Sequence, residues 1–203
     1  MNVQNCLQIL RDIKDVAFAT VDEKGLPQIR IIDVMLAEDE KIYFCTARGK
    51  DFYAQLMRDN HVAITAVNRD FQMIRLSGTA DKLTEQKYWI DRIFEENPGI
   101  RRVYPNESRY ILEPFCIANA NIEFFDLGEE PINREHYTIG NHKERKNGFE
   151  ISETCIACGT CRKICPQQCI GIGKPFEINQ NHCLHCGLCF ENCPVKAITI
   201  RSV

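Results

Sequence analysis

The sequence lacks the features that mark membrane and nucleic-acid-binding proteins. No run of apolar residues approaches the roughly 18 needed for a membrane-spanning helix, so we expect no membrane partner. The net charge of −3 gives no electrostatic case for binding nucleic acid. Residues 1–15 contain neither the apolar core nor the cleavage signal of an export sequence. We therefore expect a cytoplasmic protein.

Common catalytic signatures are also scarce. There is no G-x-G-x-x-G motif, which excludes a Rossmann nicotinamide domain. No Ser/His/Asp set or pair of carboxylates stands out as hydrolytic machinery, and we assign no catalytic residue. The 203 residues, of which 44% are hydrophobic and 26% charged, have a soluble globular composition with room for one medium and one small domain. What the sequence has in abundance is cysteine, with twelve residues.

The cysteines are unevenly distributed. Cys6, Cys45 and Cys116 are scattered, whereas the other nine lie between Cys155 and Cys193. In a reducing compartment, cysteines at this density indicate metal ligation rather than disulfide bonds.

A 28-residue repeat organises the cysteine-rich segment. Residues 155–166 and 183–194 each read C-x2-C-x2-C-x3-C-P, the ligand spacing of a [4Fe–4S] cluster. In two-cluster ferredoxins the fourth cysteine of each run binds the other cluster. We expect Gly159 and Gly187 to adopt positive φ, and each fourth cysteine to open a short helix with the proline that follows it. This arrangement assigns one cluster to Cys155, Cys158, Cys161 and Cys193, and the second to Cys183, Cys186, Cys189 and Cys165.

Alternatives exist for several of these residues. Zinc knuckles use separated C-x2-C pairs with four ligands per ion, so two interlocked sets of four favour iron–sulfur clusters. The ninth cysteine, Cys169, is either a spare ligand or redox thiol, or a small buried residue. Its repeat partner is Ala197, which favours the buried residue. His182 and His185 flank cluster ligands. Because eight cysteines are available for the two clusters, neither histidine is needed as a ligand. The segment resembles bacterial two-cluster ferredoxins over about residues 148–203.

The preceding part of the chain alternates short β-patterned runs with turn signals. This pattern predicts a closed antiparallel barrel of about six strands with one or two helices. We expect helices over 6–13 and 50–58, and a third that is capped by Thr84 and ends at Asn97. The expected strands cover 16–21, 28–36, 41–46, 61–68, 73–83 and 109–126.

One segment of this part carries a chemical signal. The strand that ends at Thr46 is followed by Arg48, Gly49 and Lys50, and then by a predicted helix. A helix N-terminus offers unpaired N–H groups and the positive end of a dipole, to which the two cations add full charges. The segment is either a phosphate site or an ordinary solvated turn.

The order of these segments resembles the FMN-binding split barrel of the pyridoxamine 5′-phosphate oxidase-like family over about residues 5–127. The resemblance rests on 18–21, 27–32, 43–46 with Lys50, 74–80 and 122–126.

The resemblance implies an FMN site at a homodimer interface. Arg30 and Lys50 would bind the phosphate, to which Thr46 would donate its hydroxyl. The backbone of Ile31 and Ile32 would run along the isoalloxazine ring, with Gln72 of the partner subunit as a further contact. The C-terminal segment is predicted to bind clusters. From the resemblance we therefore expect the flavin-binding barrel but not the oxidation of pyridoxamine phosphate.

These observations predict a mainly β protein with some α-helix in two domains. Residues 1–127 form the split barrel, 128–147 a linker, and 148–203 a small α+β ferredoxin-like domain with two [4Fe–4S] clusters. The basic run 142–146 either docks an acidic partner or is a solvated part of the linker.

The predicted function is an FMN-dependent oxidoreductase. It passes single electrons between the clusters and FMN, which reduces or oxidises a small molecule. The expected partners are a second copy of the chain, a ferredoxin or other redox protein, and a small-molecule electron acceptor. The alternatives are an electron carrier without its own substrate and a redox sensor.

Overall fold

The computed structural model describes residues 1–143 and 147–201. The chain divides into two compact units. The first contains residues 1–123 and 137–143, and the second contains 124–136 with the described residues from 147 onward. No helix in the described residues is long and apolar enough to cross a membrane.

Within residues 1–143 the structure has eight strands and three helices. The strands are β1 (Asp15–Val21), β2 (Pro27–Asp33), β3 (Leu36–Glu38), β4 (Lys41–Ala47), β5 (His61–Val67), β6 (Gln72–Lys82), β7 (Leu112–Asp126) and β8 (Asn133–Ile139). The helices are α1 (Val3–Ile13), α2 (Asp51–Arg58) and α3 (Gln86–Glu96), and 3-10 turns cover Pro98–Arg102 and Asn106–Ile111.

The strands form one curled sheet in the order β2-β1-β5-β6-β7-β4-β3, with β8 paired to β7. The registers of β1–β2, β1–β5, β3–β4, β4–β7 and β5–β6 are antiparallel. In the described residues β2 and β3 end the hydrogen-bonded path, so the barrel is split rather than closed. The predicted split barrel is confirmed, whereas the expectation of a closed barrel of about six strands is wrong, because the sheet has eight strands and two edges in the described residues.

Aromatic side chains fill the centre of the barrel. Phe44 lies between Phe18 and Phe115, with ring centroids 4.9 and 5.4 Å away, and Phe52 of α2 packs on the same group. Such pairs each contribute about 0.5–1.5 kcal/mol beyond the area they bury. The alternation that buries Phe44 also turns Thr46, two residues later on β4, to the same face of the strand.

Several elements differ from the sequence-based expectations. The strand predicted over 28–36 breaks after Asp33 into β2 and β3, because the Val34 N–H donates to the Lys14 carbonyl before β1, whereas the Met35 N–H donates to Tyr43 on β4. Thr84 does not cap α3, whose N-cap is Glu85 without a side-chain hydrogen bond. The segment predicted as a linker contains β8, a strand whose polar sequence gives no hydrophobic alternation.

The cysteine-rich unit is built from very short elements. They are β9 (Phe149–Ile151), α4 (Thr160–Ile164), β10 (Ile170–Gly171), β11 (Glu177–Ile178), α5 (Leu188–Glu191) and β12 (Ile198–Ile200), with a 3-10 turn at Gln180–His182. β9 pairs with β12 and β10 pairs with β11.

The 28-residue repeat is visible in the backbone. α4 and α5 begin at positions 160 and 188, and β10 and β12 begin at 170 and 198. Positive φ angles recur in the pairs Ala157/His185, Gly159/Gly187 and Gln168/Lys196. The prediction for the two glycines is confirmed, with φ of 80° and 82°.

The fourth cysteine of the motif does not open a helix, contrary to expectation. The third cysteine, Cys161 or Cys189, lies within the short helix instead, and Cys165 caps the C-terminus of α4. The reason is that the left-handed glycine before each helix already supplies its start, and the proline lies beyond its end.

Candidate functional site

The eight predicted ligands lie around two separate cavities in the second unit. The first cavity is lined by Cys155, Cys158, Cys161 and Cys193. The second is lined by Cys165, Cys183, Cys186 and Cys189. In each case the structure groups three cysteines of one motif with the fourth cysteine of the other.

The local backbone supports thiolate character at these sulfurs. The N–H of Ala157 donates to Cys155 Sγ at 3.4 Å, and the N–H of His185 donates to Cys183 Sγ at the same distance. The Thr160 hydroxyl and its backbone N–H lower the pKa of the Cys158 thiol. Burial raises the pKa of Cys161 and raises that of Cys189 to about 11, which binding to a cation would reverse.

The donor set suits iron–sulfur clusters. Among residues 1–143 and 147–201, no three His, Cys, Asp or Glu side chains converge as ligands of a single metal ion. The thiols are spread instead around the walls of the two cavities. Four cysteine thiolates around one cavity are the donor set of a [4Fe–4S] cluster.

Cys169 is buried and also lines the second cavity. Its Sγ lies 3.5 Å from Cys165 Sγ. The burial that the sequence favoured is therefore observed, but the residue is not remote from the ligands. At the equivalent position beside the first cavity, the backbone N–H of Ala197 donates to Cys193 Sγ at 3.2 Å.

In the barrel, Thr46 is the most distinctive of the predicted phosphate residues. It is 2% exposed, and its buried Oγ1 has no hydrogen-bond partner within the described part of the chain. A buried hydroxyl without a partner costs about 1–3 kcal/mol. A ligand oxygen at this position would remove that cost.

The two cations after Thr46 have different environments. Arg48 donates to the buried carboxylate of Glu113 at 2.9 Å, and Lys82 lies 3.2 Å from the same carboxylate. Lys50 is exposed at the N-cap of α2, and its ammonium group forms no ion pair in the residues that the structure describes. Lys50 therefore keeps its charge available, whereas Arg48 and Lys82 share the Glu113 carboxylate.

Arg30 is half-buried on β2. Its guanidinium donates to Thr20 Oγ1 and to Gln55 Oε1, the latter at 2.8 Å, and it stacks on the Phe52 ring at 4.7 Å. Burial lowers the pKa of Arg30. These hydrogen-bonding partners are uncharged, so no carboxylate among the described residues forms an ion pair with this cation.

The remaining predicted flavin contacts lie on strand ends and edges. Ile31 is 63% exposed on β2, and Ile32 is half-buried. Gln72 begins β6, where its Oε1 accepts a hydrogen bond from Asn68 at 2.9 Å. The flavin-binding roles of Ile31, Ile32 and Gln72 stay predictions.

The sequence analysis missed several residues that shape the two regions. The cations of the barrel are bound by three residues that belong to no sequence motif. Arg30 donates to Thr20 and Gln55, and Arg48 pairs with Glu113. Arg134 lies in the segment predicted as linker, and it donates to His185 of the second cluster motif. Its isolated position in a polar stretch gave no signal.

Comparisons with known proteins bear on both parts of the chain. Residues 3–103 match the family model described as pyridoxamine 5′-phosphate oxidase. Residues 154–197 match the model described as 4Fe–4S dicluster domain. The chain joins a pyridoxamine 5′-phosphate oxidase-like split barrel to a 4Fe–4S dicluster domain. A search of curated proteins found no match.

Solved structures resemble the split barrel. A NimC/NimA family protein from Clostridium acetobutylicum has a TM-score of 0.57 at 17% identity, over 68% of this chain and 92% of its own. A protein of the pyridoxinephosphate oxidase family from the same organism, related to general stress protein 26, gives 0.53 at 16% identity, over 68% and 97%. A heme-binding protein from Mycobacterium smegmatis gives 0.52 at 11% identity, over 68% and 58%. At these identities the likeness shows the fold.

Proposed function

We propose that the chain is an oxidoreductase that moves single electrons between two [4Fe–4S] clusters and one FMN, with a small molecule as the final electron donor or acceptor. The presence of a split barrel and of two four-cysteine cavities on one chain carries this proposal. When bound, FMN supplies one- and two-electron chemistry and the clusters supply one-electron transfer. The protein contributes the ligands, the positions of the cofactors and the surrounding charges.

The FMN phosphate has three candidate partners with complementary properties. Arg30 is a cation with uncharged partners, Lys50 is an exposed cation beside a helix N-terminus, and Thr46 has a buried hydroxyl to donate. A phosphate would neutralise the cations and accept from the hydroxyl, and each charge-assisted bond would contribute about 1.5–3 kcal/mol.

A second copy of the chain is the proposed partner at the flavin site. β2 ends the sheet path, and on it Ile29 and Ile31 are 73% and 63% exposed. An edge strand with exposed apolar side chains is a surface suited to association. We expect static light scattering to give the mass of a dimer, and a monomer that retains FMN would contradict the shared site.

The proposal predicts a definite cofactor content. After anaerobic purification and reconstitution with FMN, each chain should carry about eight iron, about eight acid-labile sulfide and one FMN. Zinc without sulfide would contradict the cluster assignment. A heme absorption band with no bound flavin would contradict the barrel assignment, since a heme-binding protein shares this fold.

The substrate-side proposal is tested separately. Reduced ferredoxin is the expected electron donor, and candidate small acceptors are tested for oxidation of the reduced holoprotein under anaerobic conditions. If no acceptor is turned over but electrons pass on to a second redox protein, the chain is a carrier and the oxidoreductase proposal fails.

A further inference from the structure

The two cluster cavities differ in the number of cysteines around them. In the part of the chain that the structure describes, four cysteines line the first cavity and five line the second. The additional one is Cys169, whose place in the repeat is taken by Ala197 beside the first cavity. Because a [4Fe–4S] cluster takes four thiolates, the second cavity has one thiol more than its cluster needs.

The additional thiol lies between two of the predicted ligands. Cys169 Sγ is 3.5 Å from Cys165 Sγ, and the Cys169 thiol also hydrogen-bonds to Cys183. The Cys169 side chain is 7% exposed, and it lines the same cavity as both. Cys183 belongs to the loop that also carries Cys186 and Cys189, whereas Cys165 comes from the other motif. Exchanging Cys165 for Cys169 would therefore leave the three ligands of that loop in place.

The backbone that presents Cys169 does not depend on the Cys165 sulfur. The Gln168 N–H donates to the Cys165 carbonyl at 3.2 Å and closes the turn between the two cysteines. The Cys169 carbonyl accepts from the Asn179 N–H at 2.8 Å, and the next residue, Ile170, begins β10 and pairs with β11. All of these are backbone interactions. Cys169 should therefore keep its position when the side chain of Cys165 is shortened.

The first cavity has the same turn without the thiol. The Lys196 N–H donates to the Cys193 carbonyl at 3.1 Å, and Gln168 and Lys196 have φ angles of 50° and 52°. The Ala197 carbonyl is held in turn by the Ser152 N–H at 2.8 Å. The two turns thus share their backbone conformation and differ at one side chain. The repeat therefore provides a matched control within the same chain.

We infer that Cys169 is a reserve ligand of the second cluster, which binds the iron assigned to Cys165 when Cys165 does not. The inference rests on the proposed function, since it requires that cluster. In the exchange one iron–sulfur bond forms and one breaks. The incoming thiol releases its proton and the outgoing thiolate takes one up, and no electron is transferred. The second cluster thus survives the loss of its fourth ligand, whereas the first cluster has no such reserve.

The test is the cofactor content of full-length variants that are purified anaerobically, with iron and acid-labile sulfide counted per chain. Alanine is used because a serine oxygen could itself bind iron. Wild type and C169A should each contain about eight iron, and C165A should remain near eight. C193A and the double variant C165A/C169A should fall to about four, or to about seven where the open cluster loses a single iron. Electron paramagnetic resonance of the oxidised samples detects the three-iron cluster that such a loss leaves.

A second variant tests the inference by gain of a ligand. C193A/A197C introduces at the first cavity the thiol that the second cavity has by nature. It should contain more iron than C193A and approach about eight per chain. This variant decides the question if C165A does not yield folded protein, because it leaves the second cavity unaltered.

The inference is overturned if C165A loses as much iron as C193A or contains a three-iron cluster. It is equally overturned if C165A/C169A retains as much iron as C165A, since another group would then hold the open position. When C165A does not fold, a C193A/A197C variant with no more iron than C193A has the same meaning. A wild type with fewer than two clusters would instead contradict the proposed function, and its iron count would show this before any variant is compared.

Discussion

The dicluster domain and the split barrel hold their candidate sites in different ways. In the dicluster domain, three ligands of each cavity lie within seven consecutive residues, such as 155–161. In the barrel, the candidate phosphate residues come from β2, β4 and the start of α2. A site built from one continuous motif is specified by spacing, whereas a site built from separate strands is specified by the fold.

The two regions also differ in the charge that they present. The cluster cavities gather thiols, which become anionic on binding iron. The barrel gathers cations, of which Arg48 and Lys82 share the Glu113 carboxylate. Arg30 and Lys50 form no ion pair with a carboxylate among the described residues. The first region is therefore suited to a cationic group and the second to an anionic one.

The largest expected effect is the loss of a cluster. Cys158→Ser removes one of four ligands at the first cavity, and the iron content should fall from about eight to about four per chain. The dicluster domain should also lose stability, because cluster binding contributes folding free energy in so small a domain. Iron analysis and thermal unfolding measure the two effects. Cys45→Ala, in the barrel, is the control and should leave the iron content unchanged.

Replacing Arg30 tests whether this residue stabilises the barrel as well as binding FMN. Arg30→Ala leaves Gln55 and Thr20 without their shared donor, and should lower the free energy of unfolding by about 1–3 kcal/mol as well as weakening FMN binding. Arg75→Ala removes an exposed ion pair with Glu123, and should change the free energy of unfolding by less than about 1 kcal/mol. Equal stability of the two variants in urea titrations would contradict the role given to Arg30.

Lys50 should affect binding without affecting stability. Lys50→Ala removes an exposed charge that forms no ion pair with described residues, so the apoprotein should unfold at the same temperature. The Kd for FMN should rise about 10- to 100-fold, which corresponds to about 1.5–3 kcal/mol. Fluorescence titration with FMN measures this, with Lys24→Ala as the control. An unchanged Kd would remove Lys50 from the phosphate site.

Replacing Thr46 should have the smallest effect on FMN affinity, and it should weaken FMN binding without lowering the stability of the apoprotein. Thr46→Val keeps the shape of the side chain and removes a buried hydroxyl that has no partner among the described residues. The apoprotein should be as stable as the wild type or more stable, while FMN affinity should fall about tenfold. Calorimetry of the apoprotein and FMN titration give the two values. A loss of apoprotein stability with unchanged FMN affinity would mean that the hydroxyl serves the fold alone.

Sequence reasoning was most informative where the chemistry is local. The repeat identified the cysteines that the structure groups into two cavities, and it placed the left-handed glycines. It misplaced the short helices, since the start of a five-residue helix depends on the preceding loop more than on its own residues.

Contacts between distant segments were beyond sequence reasoning. β8 has polar residues at most positions and is a strand because the long β7 offers it a partner. The place of Arg134 depends on that pairing, and no motif marks it. In the barrel, the pattern located most strands along the chain. It did not show that Arg30 donates to Gln55 or that Arg48 pairs with Glu113.

The central claim is that electrons reach FMN through the clusters. It is tested most directly by rapid anaerobic mixing of reduced ferredoxin with the full-length holoprotein and with a Cys158→Ser/Cys186→Ser double variant, in which each cavity has lost one ligand. Dithionite should reduce the flavin of both proteins, which shows that the barrel site is intact. Ferredoxin should reduce the flavin of the wild type rapidly and that of the variant only slowly. Flavin reduction by ferredoxin at the same rate in both proteins would contradict the account.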